Sequence, residues 1–323
     1  MNQAISKVKL SGIYIAPVTP LKDDGKIDFD RLGKHIEFLI DAGIDGICVG
    51  GGTSEYPRFD LSERKELLRQ SIRLVANRVK VLPAVGMPSF DRVLDLAGTA
   101  TDEGAELLLL PPPHFFLYSQ DDLYHFYREI SRSLPVPCVL YNLPIFTNPI
   151  DPGTTVKLLR GEPRIVGIKD SGGDRKVLSL LKPLKKERPI SLMMGNDELL
   201  LDALKSGWDG AISGLGNLCP EVLVLLARSM QSGDTVTAER CQQAIDQIIQ
   251  HGVLSLPVPW AIRAGLEARG LQCGLLSLPP SPQRQTALKE FRGWFEKWMD
   301  ETLPTLVQKD SAATVRTAGQ GRS

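Results

Sequence analysis

Short apolar runs recur along the chain at Gly12–Val18, Gly46–Gly50, Lys80–Val85, Glu106–Leu110, Pro137–Tyr141, Ile165–Lys169, Ser191–Gly195 and Gly210–Ser213. Their length and Val/Ile/Leu content predict strands buried on both faces rather than helices. The segments between them carry helical spacing. Leu67, Leu68, Ser71, Ile72 and Val75 share one face, and Val93, Leu94, Ala97 and Ala100 share another. Ser119 with Asp122 has the form of a capping box, followed by a stripe of Leu123, Phe126, Tyr127, Ile130 and Leu134. Asp197 is placed to open a helix that Gly207 ends. Strand then helix, repeated about eight times, predicts a parallel sheet with helices outside it, closed into a (β/α)8 TIM barrel; an open doubly wound sheet is the alternative.

The barrel pattern spans residues 1–218. Helical spacing then runs through Pro220–Ser232, Thr235–Gly252, Pro259–Gly270 and Pro282–Thr302, with Trp260, Trp294 and Trp298 available for packing. Residues 219–304 are therefore expected to form a C-terminal helical extension. The polar, Gly- and Ser-rich stretch 305–323 has nothing to bury and is expected to be a disordered tail.

Composition narrows the function. Thirty-eight basic residues balance 38 acidic ones in the 323, so no basic field exists to neutralise a nucleic acid or an anionic membrane. Cys48, Cys138, Cys219, Cys241 and Cys273 are scattered with no Cys-x-x-Cys pair, which fits buried, reduced thiols and a cytoplasmic location. Neither a signal-type apolar segment nor a membrane span of ~18 residues is present. The four histidines stand apart from one another and from cysteine, so no metal site is expected.

In a barrel, side chains at the C-terminal strand ends face the active-site mouth. Lys169 ends one strand, just before a glycine-rich turn, and Tyr141 ends the preceding one. A lysine held against apolar walls can present a neutral amine to a ketone; the alternative is a structural lysine paired with Asp170 or Asp174. A tyrosine hydroxyl there can move the protons that imine formation requires; the alternative is a wall aromatic bonded to backbone. The run Gly50-Gly51-Gly52-Thr53-Ser54-Glu55 offers amide hydrogens and two hydroxyls to a small carboxylate, or is a plain tight turn. It matches no nucleotide-binding glycine motif. Asp197 and Glu198 are placed to accept hydrogen bonds from substrate hydroxyls, or Asp197 is a helix cap.

Together, Gly51-Gly52-Thr53-Ser54-Glu55, Tyr141-Asn142-Leu143-Pro144, Gly167-Ile168-Lys169-Asp170 and Gly195-Asn196-Asp197-Glu198 resemble the dihydrodipicolinate synthase/N-acetylneuraminate lyase family from Gly12 to about Thr302. The resemblance implies a pyruvate-dependent class I aldolase on a (β/α)8 barrel, a carbon–carbon lyase, commonly a homotetramer, so that a tetramer or dimer is expected. It implies Lys169 as the Schiff-base lysine, Tyr141 as the proton-transfer tyrosine and Thr53, with the neighbouring turn amides, as the carboxylate holder. No cofactor is implied beyond the covalent imine on Lys169.

The departures shape the substrate. Phe146 stands where the dihydrodipicolinate synthases carry an arginine for a carboxylate on the aldehyde partner, and Phe115 stands where the family places a second tyrosine; His114 and Tyr118 are the nearby candidates to replace it. Gly52 and Ser54 replace a hydroxyl residue and a glycine of the usual motif, which shifts carboxylate binding toward backbone amides. Gly195, Asp197 and Glu198 look like the lyase pattern that meets sugar hydroxyls, and Ser213 aligns with a hydroxyl-binding position of that branch. The expected substrate is a small 2-oxo acid, most simply a 2-keto-3-deoxy sugar acid or related 4-hydroxy-2-oxo acid cleaved to pyruvate and an aldehyde. The same imine also permits dehydration of a sugar acid, and dihydrodipicolinate synthesis and N-acetylneuraminate cleavage are further family activities. A silent keto-acid-binding barrel is the non-enzymatic rival.

Overall fold

Strands of three to six residues, buried along nearly their whole length, alternate with helices, several of whose starts are fixed by side-chain caps. The computed structural model describes residues 9–318, with side chains described through Leu306. The strands are β1 (Gly12–Ile15), β2 (Gly46–Val49), β3 (Lys80–Pro83), β4 (Leu108–Leu110), β5 (Cys138–Asn142), β6 (Ile165–Asp170), β7 (Ser191–Met194) and β8 (Gly210–Ser213). Helices α1 (Phe29–Asp41), α2 (Leu61–Val75), α3 (Phe90–Asp102), α4 (Gln120–Ser133), α5 (Pro152–Gly161), α6 (Lys176–Leu181), α7 (Leu184–Glu187) and α8 (Leu200–Lys205) lie between them. Asp60 with Glu63 and Ser119 with Asp122 form reciprocal capping boxes at the heads of α2 and α4, each satisfying amides that the first helical turn leaves open.

All strand pairings are parallel, in the order β3-β2-β1-β8-β7-β6-β5-β4. With the first and last strands, β1 and β8, side by side, the edges of the sheet are β3 and β4, and their junction at Ala84 and Leu109 closes it, which excludes an open doubly wound sheet. The remaining seam, between β3 and β4, is bridged at Ala84 and Leu109, where the Val85 amide donates to the Leu109 carbonyl at 2.9 Å. The fold is thus a (β/α)8 barrel with a C-terminal helical part.

Period-two alternation divides the strand side chains. Tyr14, Cys48, Leu82, Leu109, Val139, Met193 and Ile212 point inward and fill the lumen. Ile13, Ile47, Leu108, Leu140, Ile168 and Leu192 point outward against the helices, each at 0% exposure. A fully buried aliphatic side chain contributes about 1.5–3 kcal/mol, so the two layers make the barrel rigid enough to hold groups at its rim.

Helices α9 (Pro220–Ser232), α10 (Thr235–Ile248), α11 (Val258–Ala268) and α12 (Pro282–Ala318) follow the barrel. The expected helix Thr235–Gly252 instead changes at Ile249 into a wider π turn through Val253. A side chain on Gly252 would occupy the space of the Phe291 ring, so glycine lets α12 pack against this turn. The backbone of α12 runs through Ala318. The side chains of 307–318 and residues 319–323, which make up nearly all of the stretch expected as a tail, lie outside the described residues. Among the described residues no helix is long and apolar enough to cross a membrane, and all five cysteines are buried.

Candidate active site

The strand register brings the two principal candidates together. Tyr141 on β5 and Lys169 on β6 are direct parallel partners, at 4% and 3% exposure. Residues opposite one another on one face of a sheet meet, and Lys169 Nζ lies 4.1 Å from the centre of the Tyr141 ring. Neither polar head has a hydrogen-bond or salt-bridge partner among the described residues.

Pairing of Lys169 with Asp170 or Asp174, the structural alternative for the lysine, is not seen among the described residues. Asp170 accepts from the Asn142 amide group at 2.9 Å and from the Gly172 N–H at 2.8 Å. Asp174 accepts from the Lys176 N–H at 2.9 Å. Neither carboxylate is turned to Lys169. Burial is the main reason the Asp170 carboxyl titrates above its ordinary range, opposed by those two hydrogen bonds. Asn142 also accepts from the Ile150 amide at 3.0 Å and so ties the loop after β5 to the end of β6.

Gly195 closes the wall beside the lysine. A Cβ built on it would stand 2.8 Å from Lys169 Cε, closer than real side-chain carbons approach. Its amide donates to the Asp170 carbonyl at 2.7 Å, which continues the β6–β7 ladder beyond the end of β7 and presses backbone against the lysine stem.

The β2 turn faces the same space. Gly52–Ser54 forms a single 3₁₀ turn, whose first amides have no carbonyl to meet within the turn. A Cβ on Gly52 would stand 3.6 Å from the Tyr141 oxygen. Thr53 is half-buried, with its Oγ1 2.9 Å from where a Gly214 Cβ would lie, and its hydroxyl has no hydrogen-bond partner among the described residues. Ser54 departs from expectation. Its Oγ is 2.5 Å from Thr19 Oγ1 at 2% exposure, so it supports the turn from behind rather than offering a donor to a ligand.

Glu55 ends this turn in the left-handed region at φ 56°, an unusual conformation for a residue with a Cβ. Arg263 of α11 holds it there, donating to Glu55 Oε2 at 3.2 Å, to the Thr19 carbonyl at 2.7 Å and to the Cys273 carbonyl at 2.9 Å. Arg263 is 2% exposed. The C-terminal helices thus brace the turn, a role that sequence reading missed because the partners lie 208 residues apart.

Asp197 and Ser213 converge while Glu198 does not. The Leu215 amide donates to Asp197 Oδ2 at 3.3 Å and Ser213 hydrogen-bonds the same carboxyl. Burial is the largest influence on Asp197 and pushes its carboxyl up, against the Ser213 and Leu215 hydrogen bonds and the positive charge of Lys169. The helix-cap alternative for Asp197 is overturned: Asn196 is the cap, accepting from the Glu198 amide at 3.1 Å, ahead of a 3₁₀ turn at Asp197–Leu199. Ser213, fully buried, also accepts from the Gly216 amide at 2.8 Å, so it orients Asp197 instead of facing the mouth itself. Glu198 is exposed.

The positions where the family pattern breaks lie on the rim. Phe146 is 64% exposed and Phe115 is 90% exposed with φ 82°. Tyr118 is 43% exposed and its amide donates to Asn148 at 2.8 Å. His114, by contrast, turns inward to Tyr56, with Nδ1 3.2 Å from the Tyr56 oxygen.

The family model described as the dihydrodipicolinate synthetase family matches residues 9–296. The chain is 30% identical over 275 residues to a protein of Escherichia coli (strain K12) named probable 2-dehydro-3-deoxy-D-pentonate aldolase YjhH, covering 84% of this chain and 91% of that one. It is 31% identical over 290 residues to the 4-hydroxy-tetrahydrodipicolinate synthase of Endomicrobium trichonymphae, covering 87% and 98%. Among solved structures, YagE, a prophage protein of E. coli K12 in complex with pyruvate, superimposes with a TM-score of 0.83 at 28% identity over 90% of this chain and 98% of YagE.

Proposed function

The chain belongs to the dihydrodipicolinate synthetase family, and on that premise we propose that it is a class I aldolase that cleaves a 2-keto-3-deoxy sugar acid, or a related 4-hydroxy-2-oxo acid, to pyruvate and an aldehyde. The observation that carries the reading is the buried Lys169 amine 4.1 Å from the ring of Tyr141, with no carboxylate bonded to it among the described residues. Such an amine is free to add to a ketone, and a phenol beside it is placed to serve as acid and base.

Lys169 Nζ adds to C2 of the substrate. Tyr141 gives its proton to the resulting carbinolamine oxygen, water leaves, and the nitrogen lone pair completes a protonated imine. Removal of the C4 hydroxyl proton then breaks the C3–C4 bond, whose electrons flow into the iminium to leave an enamine and release the aldehyde. Protonation at C3 and hydrolysis return pyruvate and the free lysine.

The turn amides of Gly52 and Thr53, with the Thr53 hydroxyl, bind the substrate carboxylate, since both lie beside Tyr141 and Gly214 at the strand ends. Asp197, held by Ser213, accepts from a substrate hydroxyl. The relative named a pentonate aldolase and the neighbour solved with pyruvate support this substrate class.

Several relatives are named 4-hydroxy-tetrahydrodipicolinate synthase, which favours condensation as the second reading. Phe146 weighs against it, because an exposed phenyl ring at that position offers no charge to a carboxylate-bearing aldehyde. A panel of 2-keto-3-deoxy acids assayed for pyruvate release separates the possibilities. Release of pyruvate with an equal amount of aldehyde supports the aldolase; a dehydrated product with its carbon skeleton intact points to dehydration. Indifference to the whole panel, with pyruvate consumed by a carboxylate-bearing aldehyde, replaces the proposal with the condensation.

A further inference from the structure

Tyr56 lies at the inner end of α2's approach, in the short 3₁₀ turn Tyr56–Arg58 that follows Glu55, and is 6% exposed. Its hydroxyl is 3.2 Å from His114 Nδ1, and the two rings meet edge to face with centroids 5.6 Å apart. His114 is half-buried, beside the exposed Phe115 and Phe116, so the pair leads from the interior to the rim. The turn that leads into Tyr56 also borders Tyr141, since a Cβ on Gly52 would stand 3.6 Å from the Tyr141 oxygen.

A buried cation stands over this pair. The Arg64 guanidinium is 4.8 Å from the centre of the Tyr56 ring and is 3% exposed. It donates to the carbonyls of Ala84 at 2.7 Å and Gly50 at 3.3 Å, to that of Gly86, and to Met87 Sδ. Among the described residues it has no carboxylate partner. A buried positive charge without a counter-anion favours any negative charge that forms nearby, and the Tyr56 phenol beneath the guanidinium is able to carry one.

We propose that Tyr56 and His114 of the same subunit form the proton path between Tyr141 and solvent, taking the place of the hydroxyl that Phe115 lacks. The inference rests on the Schiff-base reading of Lys169 and adds the route by which Tyr141 is recharged. When Tyr141 gives its proton to the leaving oxygen, it takes the hydroxyl proton of Tyr56 through an intervening water. Tyr56 takes the Nδ1 proton of His114, and Nε2 of His114 takes a proton from solvent, so one proton crosses and the imidazole ends neutral. Arg64 offsets the charge that passes through Tyr56. Tyr56 and His114 are positioning and relay residues and do not touch the substrate.

The relay requires neutral His114. Burial, then the positive charge of Arg64, holds its imidazole below the ordinary range, so it is neutral at physiological pH. The titratable and charged groups facing the pair are Arg64, Tyr141 and Tyr127 of α4. Burial pushes the Tyr56 phenol up to about 12, which keeps it protonated at rest.

The test follows hydrogen–deuterium exchange at C3 of pyruvate by NMR across pH, in the full chain and in Tyr56→Phe, His114→Ala and the double variant. Borohydride trapping of the pyruvate adduct runs alongside. The expected result is exchange slowed at least 10-fold in each single variant, no further loss in the double variant, and full adduct yield after long incubation in all. The acid limb of the wild-type profile disappears in His114→Ala, and added imidazole restores His114→Ala but not the double variant, which a merely structural role for the histidine would not produce. Exchange within twofold of wild type in either single variant, or a slowed His114→Ala that imidazole does not restore, overturns the relay. Loss of the adduct in the wild-type chain would instead remove the Schiff-base reading, and the relay with it.

Discussion

Gly195 leaves Lys169 no room to give way: a Cβ on Gly195 would stand 2.8 Å from Lys169 Cε and would collide with the Ser171 hydroxyl. The β7 end therefore forms a wall against which the lysine stem is set, with the Tyr141 ring on the side of β5. Backbone on one side and an aromatic face on the other fix the direction of the amine with little reliance on hydrogen bonds.

Gly195→Ala is accordingly expected to push the lysine out of line. Overpacking of this kind costs about 1–3 kcal/mol, and a displacement of about 1 Å at a reacting group can cost about 10²-fold in rate. Measurement of the melting temperature alongside turnover checks the point: activity is predicted to fall far more than stability. A variant with wild-type turnover would mean the wall is not needed.

Tyr141→Phe retains the ring over Lys169 and removes the hydroxyl alone. The proposed proton transfers then lose their donor, and kcat is expected to drop about 10²–10⁴-fold with KM changed little. The adduct with pyruvate should still form on long incubation, because the amine and its packing remain. Steady-state kinetics paired with timed trapping distinguishes this slow formation from an outright loss of binding.

His35 gives the fold a sensitivity to acid. It sits on the buried stripe of α1 with Leu32, Ile36 and Leu39, and among the described residues neither ring nitrogen has a hydrogen-bond partner. Burial, then the charge of Arg263, lowers its imidazole to about 3. The unfolded chain binds a proton at His35 from about pH 6.5 downward while the folded chain does not until about pH 3. Stability is therefore present above 6.5 and is lost as pH falls through that window, at about 1.4 kcal/mol per pH unit. His35→Leu is predicted to flatten this slope, seen by chemical denaturation at pH 7 and pH 5; an unchanged slope would show that the imidazole is charged in the fold.

Much of the site could be read from sequence because it lies at the ends of buried parallel strands. Lys169 and Tyr141 each interrupt an apolar run where a barrel strand meets its mouth, and a period of two then sets them on one face. The hydroxyls of the β2 turn were harder. Thr53 and Ser54 are neighbours of the same chemical type, and in a 3₁₀ turn successive side chains point roughly 120° apart; only the position of Thr19 shows which of the two faces away. Asn196 and Asp197 present the same ambiguity for a cap, decided by the Leu215 amide and Ser213 from the next strand's end.

The long-range polar contacts left no local trace. Arg263 braces Glu55 and Thr19 from a helix beyond the barrel, and Asn217, also buried, joins the loops after β1 and β8 through the Val18 amide and the Ala16 carbonyl. His35 was legible in part: it occupies a stripe position among Leu32, Ile36 and Leu39, which marks it as buried, though not as unpartnered.

The central claim is that Lys169 forms the imine, and it is tested most directly by intact-mass and peptide-mapping analysis after incubation with pyruvate and borohydride. One stable pyruvyl adduct per chain is expected, mapped to Lys169 and missing in Lys169→Ala. An unmodified chain, or an adduct that persists on another lysine in that variant, would contradict it.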